Sequence, residues 1–231
     1  LGKGERIQQA MSNVIRTLQI LRESISSDEE YLTAVSMGNE LRAQALVDEA
    51  AKKAGYNFSW PYAYHGTESD TFYTFDMEGV ANADNVDEGA GYFFTDDAGE
   101  ARWFTAPQTD LMGSRGKPSP HSRVLKVFLR SPKSMEFDTQ SDFRAYVNVE
   151  APYVKGRTPG YGFRNLLSKQ GYTGVKIHDS QLGGGEWGNG TWYIVFSPEQ
   201  IKLADPVTYD DDGDVIPLSE RFNPNSNDIR Y

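Results

Sequence analysis

Tyr64-His65-Gly66-Thr67 ends a short β-like run and brings together three groups that can hold a planar amide. A glycine leaves its backbone N–H and C=O open to a ligand, while the His ring and the Thr hydroxyl offer side-chain hydrogen bonds beside it. About 25 residues further on, Gly91-Tyr92-Phe93-Phe94-Thr95-Asp96 sets an aromatic strand ahead of a helix. One backbone amide for a carboxamide and one aromatic face for stacking are what a nicotinamide ring needs. Each piece alone also has a plain structural reading, as a satisfied strand-end His and as a core strand.

Other chemistries are excluded by composition and spacing. The chain has no Cys, and its three His, at 65, 121 and 178, are far apart and form no His-Glu-x-x-His pair, so a zinc enzyme is not expected. Asp210-Asp211-Asp212-Gly213-Asp214 invites a calcium reading, but with Gly213 in sixth place an EF-hand loop would begin at Thr208 and end at Ser219, which fails the ligand pattern. A solvated hairpin turn between Val207-Thr208-Tyr209 and Val215-Ile216 is expected instead. The glycine-rich stretch Gly183 to Gly190 lacks the Gly-Lys-Ser/Thr of a phosphate-binding loop. A net charge of −10 with no evident basic stripe argues against specific duplex binding as the main task, although a nucleic acid could still be a substrate approached locally. No apolar run approaches the roughly 18 residues that span a bilayer, and no charged-then-apolar leader opens the sequence, so a soluble protein with no membrane partner and no metal is expected.

The elements that must position these residues fall into two parts. Ile7, Met11, Val14, Leu18, Leu21 and Ile25 recur every three or four residues and predict an amphipathic helix from Glu5 to about Ser26 that needs a partner. Ser27-Asp28-Glu29-Glu30 has the form of a capping box, which predicts a new helix there, interrupted at Gly38 and stopped at Gly55. Residues 1–55 therefore read as a helical N-terminal appendage and 56–231 as the main domain. In the latter, strands are expected at Tyr62 to His65, Tyr92 to Thr95, Arg123 to Arg130, Gly174 to His178 and Trp192 to Phe196. Helices are expected at Asp97 to Phe104 and Phe163 to Gln170, and a long loop at Thr105 to Ser122.

His-Gly-Thr, the Gly-x-aromatic-Phe-Thr-Asp strand and Tyr193-Ile194-Val195-Phe196-Ser197-Pro198-Glu199-Gln200-Ile201-Lys202, in that order, resemble an ADP-ribosyltransferase domain. The likeness is to those inside polyvalent proteins of phages and mobile elements, which share the fold of diphtheria toxin and the poly(ADP-ribose) polymerases. It runs from about Tyr62 to Tyr209, and Leu41 to Gly55 and the tail from Val207 also resemble flanking sequence of such proteins. The resemblance implies an α+β fold with a split mixed or antiparallel β-sheet core behind the N-terminal helices. It also implies NAD as substrate, an unknown macromolecular acceptor (protein or nucleic acid), and work in the cytoplasm of a bacterial host cell reached by phage delivery.

Carried over residue by residue, the resemblance makes His65 a contact to the adenosine ribose. Gly66 becomes the backbone clamp on the nicotinamide carboxamide, with Thr67 assisting. Tyr92, Phe93 and Thr95 come with the aromatic strand, and Phe93 stands where the family usually has Tyr. Arg102, Arg115 and Lys117 are candidate pyrophosphate contacts. Polymerase-type domains carry their acid directly before the residue matching Tyr193, and this chain has Trp192 there. Glu186, in the glycine-rich stretch, sits where related phage domains often carry a Glu and is the expected catalytic acid. Glu199 is its rival, although after Ser197-Pro198 an acid suits the start of a helical turn. NAD glycohydrolysis, or a catalytically silent module binding NAD or a partner, are the alternative functions.

Overall fold

The computed structural model describes residues 3–59, 61–69, 72–76, 89–107, 116–179 and 190–231, with the backbone alone described at 3, 4, 7, 20, 21, 23 and 24. Helix α1 (Lys3–Ser36) runs unbroken through Ser27-Asp28-Glu29-Glu30, so the break expected there does not occur. Asp28 is used elsewhere, its carboxylate accepting from the Ser219 amide at 2.9 Å and the Ser219 hydroxyl at 2.5 Å. The chain turns at Gly38, whose φ of +67° suits a residue without a β-carbon, and Asn39 caps α2 (Glu40–Lys53). Among the described side chains of α1, burial is confined to the last turns, where Tyr31 and Ala34 join Leu46 and Val47 of α2 in a cluster with Phe128 and Phe222.

Among the described residues, seven strands form one mixed sheet. They are β1 (Ala63–Thr67), β2 (Tyr92–Thr95), β3 (Arg123–Leu129), β4 (Ser134–Thr139), β5 (Gly174–Asp179), β6 (Trp192–Val195) and β7 (Ile201–Leu203), in the order β4-β5-β6-β2-β1-β3-β7. All neighbours are antiparallel except β4 and β5. With α3 (Ala98–Trp103), α4 (Gln140–Glu150) and α5 (Pro159–Lys169), this is the expected α+β architecture. β4, α4 and β7 were not foreseen. Yet Met135 and Phe137 alternate with polar residues, and Thr139 caps α4 by accepting from the Asp142 amide.

The sheet is two half-sheets joined at one rung. β1 pairs with β3 along all five of its residues, but with β2 only at Tyr64↔Thr95. One apolar cluster draws from both halves, with Leu125, Val127 and Ile201 from one and Tyr92, Phe94 and Val195 from the other. Helices α4 and α5 cover the outer face of the second half through Phe143, Phe163 and Leu167. At the far end from the rung's opening, the buried Gln200 amide ties the halves together. Its Nε2 donates to the carbonyls of Arg130 at 2.6 Å and Thr173 at 2.9 Å, and its Oε1 accepts from the Phe196 amide at 3.0 Å. A buried amide with all three bonds made specifies one arrangement of the halves.

Gln200→Leu keeps the volume but leaves these backbone groups unpartnered, each at a cost of about 1 kcal/mol or more. Urea unfolding should show a loss of about 3 kcal/mol. A variant as stable as the parent would mean that the halves are held by the apolar cluster alone.

Candidate active site

Peptide groups of alternate residues along a strand point to the same neighbour. The Asp96 amide donates to the Thr191 carbonyl at 3.1 Å, so Asp96, Phe94 and Tyr92 face β6, while Thr95 and Phe93 face β1. Thr95 meets Tyr64, so Tyr64 and, two residues on, Gly66 direct their N–H and C=O groups toward β2. Beyond that rung no further pair between β1 and β2 is in register. The Gly66 peptide therefore looks into an open seam.

Across this seam the His65 ring stands in for a ladder bond, its Nδ1 lying 2.8 Å from the Phe93 carbonyl. A carbonyl only accepts, so Nδ1 carries the proton. The ring is packed on Phe75 and Phe94, with centroids 5.1 and 5.3 Å away, and this burial pushes its pKa below the ordinary 6.5, partly offset by the bond to Phe93. The neutral ring leaves Nε2 as an acceptor, suited to a hydroxyl donor such as a ribose.

On the opposite face, α3 lies across β1. A β-carbon at Gly66 would sit 1.9 Å from the Ala101 carbonyl oxygen and 3.0 Å from Cβ of Phe104, so packing alone requires the glycine. The same contact places the half-buried Phe104 beside the seam, with the Trp103 ring edge-on to it at 5.3 Å. Phe93 also projects to this face, where its ring meets Trp192 edge-on at 5.8 Å. His65 and Phe93 thus approach the seam from opposite faces of the sheet.

Tyr92 does not present its ring to the seam: it is 4% exposed in the core and its hydroxyl donates to the Phe75 carbonyl at 3.1 Å. Thr95 is buried, donating to the Glu100 carboxylate and accepting from the Asp97 amide. The Thr67 hydroxyl oxygen accepts from the Ser69 amide, while Arg102 and Lys117 are exposed. Glu186 and Arg115 lie outside the described residues. Glu199 is remote. It adjoins Gln200, which bonds Arg130, whereas Gly66 faces Val124 six residues back along β3, a separation of about 20 Å. There Glu199 accepts from the Ser197 hydroxyl and lines a separate cavity of ≈ 410 Å³ with Arg130 and Tyr172.

Glu100 and Phe104 were missed by sequence reasoning. Glu100 reads as a first-turn helix acid, favoured by capping alone, and nothing in its spacing signals that it is 2% exposed beneath the sheet. Its other carboxylate oxygen accepts from the Trp192 indole N–H at 2.8 Å. Gly190 packs onto the same group, with an added β-carbon only 2.5 Å from Glu100 Oε2 and 3.0 Å from Thr95 Oγ1, and the Thr191 amide donates to Asp96 at 2.8 Å.

The family model for ADP-ribosyltransferase in polyvalent proteins matches residues 61–208, from the start of β1 through both half-sheets. The chain belongs to that family. No curated protein matches it, and no solved structure does. This ADP-ribosyltransferase domain carries ADP-ribosyl transfer as its general chemistry, and the matched span holds His65, Gly66, Phe93, Glu100 and Trp192. Among the described residues no group of three or more His, Asp or Glu could hold a metal, and no helix is long and apolar enough to cross a membrane.

Because the folded-state pKa of His65 is depressed, the unfolded chain takes up the extra proton first as pH falls below 6.5. The ring therefore costs stability from 6.5 downward until the folded value is reached, and nothing above it. Nitrogen-15 NMR should find His65 neutral and protonated on Nδ1 at pH 6.5, with the pH titration displaced to the acid side. A half-protonated ring at that pH would contradict the assignment.

Proposed function

We propose that the seam beside Gly66 binds NAD and that the domain moves ADP-ribose from it to a macromolecular acceptor, protein or nucleic acid. The observation that carries this reading is the Gly66 peptide facing an opened seam, with the His65 acceptor nitrogen on one face and the Phe93 and Phe104 rings on the other. The carboxamide would pair with the Gly66 N–H and C=O, and the pyridinium would lie against the rings. His65 Nε2 would accept from a hydroxyl of the adenosine ribose, Thr67 would assist at the strand end, and Arg102 would face the pyrophosphate. Thr95 and Tyr92 support the site from behind.

The bond that breaks joins C1′ of the ribose to the pyridinium nitrogen, and nicotinamide leaves with the electron pair. The acceptor then forms the new bond to C1′ and gives up its proton. Glu186 is our choice for the carboxylate that stabilises the positive charge on the ribose as the bond opens. It lies four residues before Gly190, which packs on Thr95 and Glu100, so the chain could carry it about 14 Å from that anchor. Glu199, about 20 Å from Gly66, is set aside. Water in place of the acceptor would make the domain an NAD glycohydrolase. Phe93 and Trp192 at the family's Tyr and acid positions favour, as a second reading, a module that holds NAD without turnover.

A lysate incubated with the domain and NAD labelled in its adenylate part should gain label on macromolecules as nicotinamide is released. Label found only as free ADP-ribose would identify the glycohydrolase, and tight NAD binding with no nicotinamide release the silent module. His65→Ala should raise KM for NAD about tenfold or more with a smaller change in kcat. Glu186→Gln should lower kcat on the order of 100-fold with KM near that of the parent. Undiminished turnover in the Glu186 variant would defeat the choice of acid.

A further inference from the structure

Among the described side chains, the apolar stripe of helix α1 is uncovered. Met11, Val14, Leu18 and Ile25 are each 58–60% exposed and Ile15 is 54% exposed, while the burial of α1 against α2 begins only at Tyr31. Its first 24 residues would span about 36 Å, and most of a helix's stability in a protein comes from packing of its apolar face. The stripe has the spacing of a coiled-coil seam. Ile7, Val14 and Leu21 fall at d, and Met11, Leu18 and Ile25 fall at a, over three heptads without a polar interruption.

We propose that this seam is covered by α1 of a second copy, packed antiparallel about a two-fold axis between Val14 and Leu18. In that register the layers are Ile7 with Ile25, Met11 with Leu21 and Val14 with Leu18, each made twice, as two-fold symmetry requires. Two further observations select the second copy and the antiparallel sense. Ile15 falls at e, where a charged or polar residue would be usual, and only the antiparallel arrangement brings it against its own symmetry mate beside the axis. The helix is also bipolar. With Arg16 at the axis itself, in the outward f position, Lys3 and Arg6 against Glu5 leave the first half positive, and Glu23, Asp28, Glu29 and Glu30 against Arg22 leave the second half negative. Antiparallel chains set the positive half beside the partner's negative half and oppose the helix dipoles, whereas parallel chains would crowd the acids together. The two globular bodies then lie at opposite ends of the helix pair.

The test uses the full chain and does not involve NAD, so its result is independent of the catalytic reading. Sedimentation equilibrium at tens of micromolar should give twice the 25.9 kDa chain mass, and Leu18→Glu should give a single chain, with dissociation at least 100-fold easier and an unchanged melting temperature for the globular body. Because the chain contains no Cys, engineered thiols report on the pairing directly. Met11→Cys chains mixed with Leu21→Cys chains should oxidise to the mixed dimer, while Met11→Cys alone should not cross-link. A parent chain that stays single throughout that range, a higher oligomer, or a Met11→Cys chain that links to itself would each overturn the proposal.

Discussion

Helix α3 rests on β1 so closely that any side chain at residue 66 would collide with the Ala101 carbonyl. That approach organises the rest of the site. The chain leaves β2 at Asp96, caps α3 with the Asp97 side chain and lays the helix over β1, so the two strands share one rung instead of a full ladder. What would have been sheet becomes a seam, with the peptide of Gly66 turned toward it and the imidazole of His65 bridging to Phe93. The glycine therefore answers a packing demand on one face, while its peptide is turned to the seam at its edge.

The buried Glu100 shows how the strand carrying Trp192 is accommodated. A carboxylate beneath a sheet is costly unless its lone pairs are used, and here the Thr95 hydroxyl and the Trp192 indole use them. Gly190 can pass over this group because it has no side chain to strike it, and Asp96 holds the neighbouring Thr191 amide. The strand after the glycine-rich stretch is thus fixed to α3 and β2 together. Glu100 acts through that anchoring: its contacts are to protein groups.

The fold was legible where pattern and chemistry coincide. Strands β1, β2, β3, β5 and β6 and helices α3 and α5 follow from apolar runs and their Gly or Asp boundaries, and the hairpin at 207–216 from its acidic turn, closed in the structure by Tyr209↔Val215 with Gly213 at φ +88°. The capping box at Ser27 misled because local signals do not reveal a distant partner, and Asp28 spends its carboxylate on Ser219. In the candidate site, the strand-end placement of His65 and Gly66 could be read from residue type and position. The core placement of Tyr92, the burial of Glu100 and the approach of Phe104 are products of how the half-sheets and α3 meet, which no stretch of ten residues encodes.

The central claim is that the Gly66 peptide is the ligand-facing edge of the site. Its amide can be followed directly by nitrogen-15 NMR, or by hydrogen exchange, while NAD or nicotinamide is added. With the ligand held at this edge, the Gly66 N–H resonance moves in a saturable way and its exchange slows. Saturable binding that leaves Gly66 unperturbed, with changes confined to another part of the surface, would contradict it.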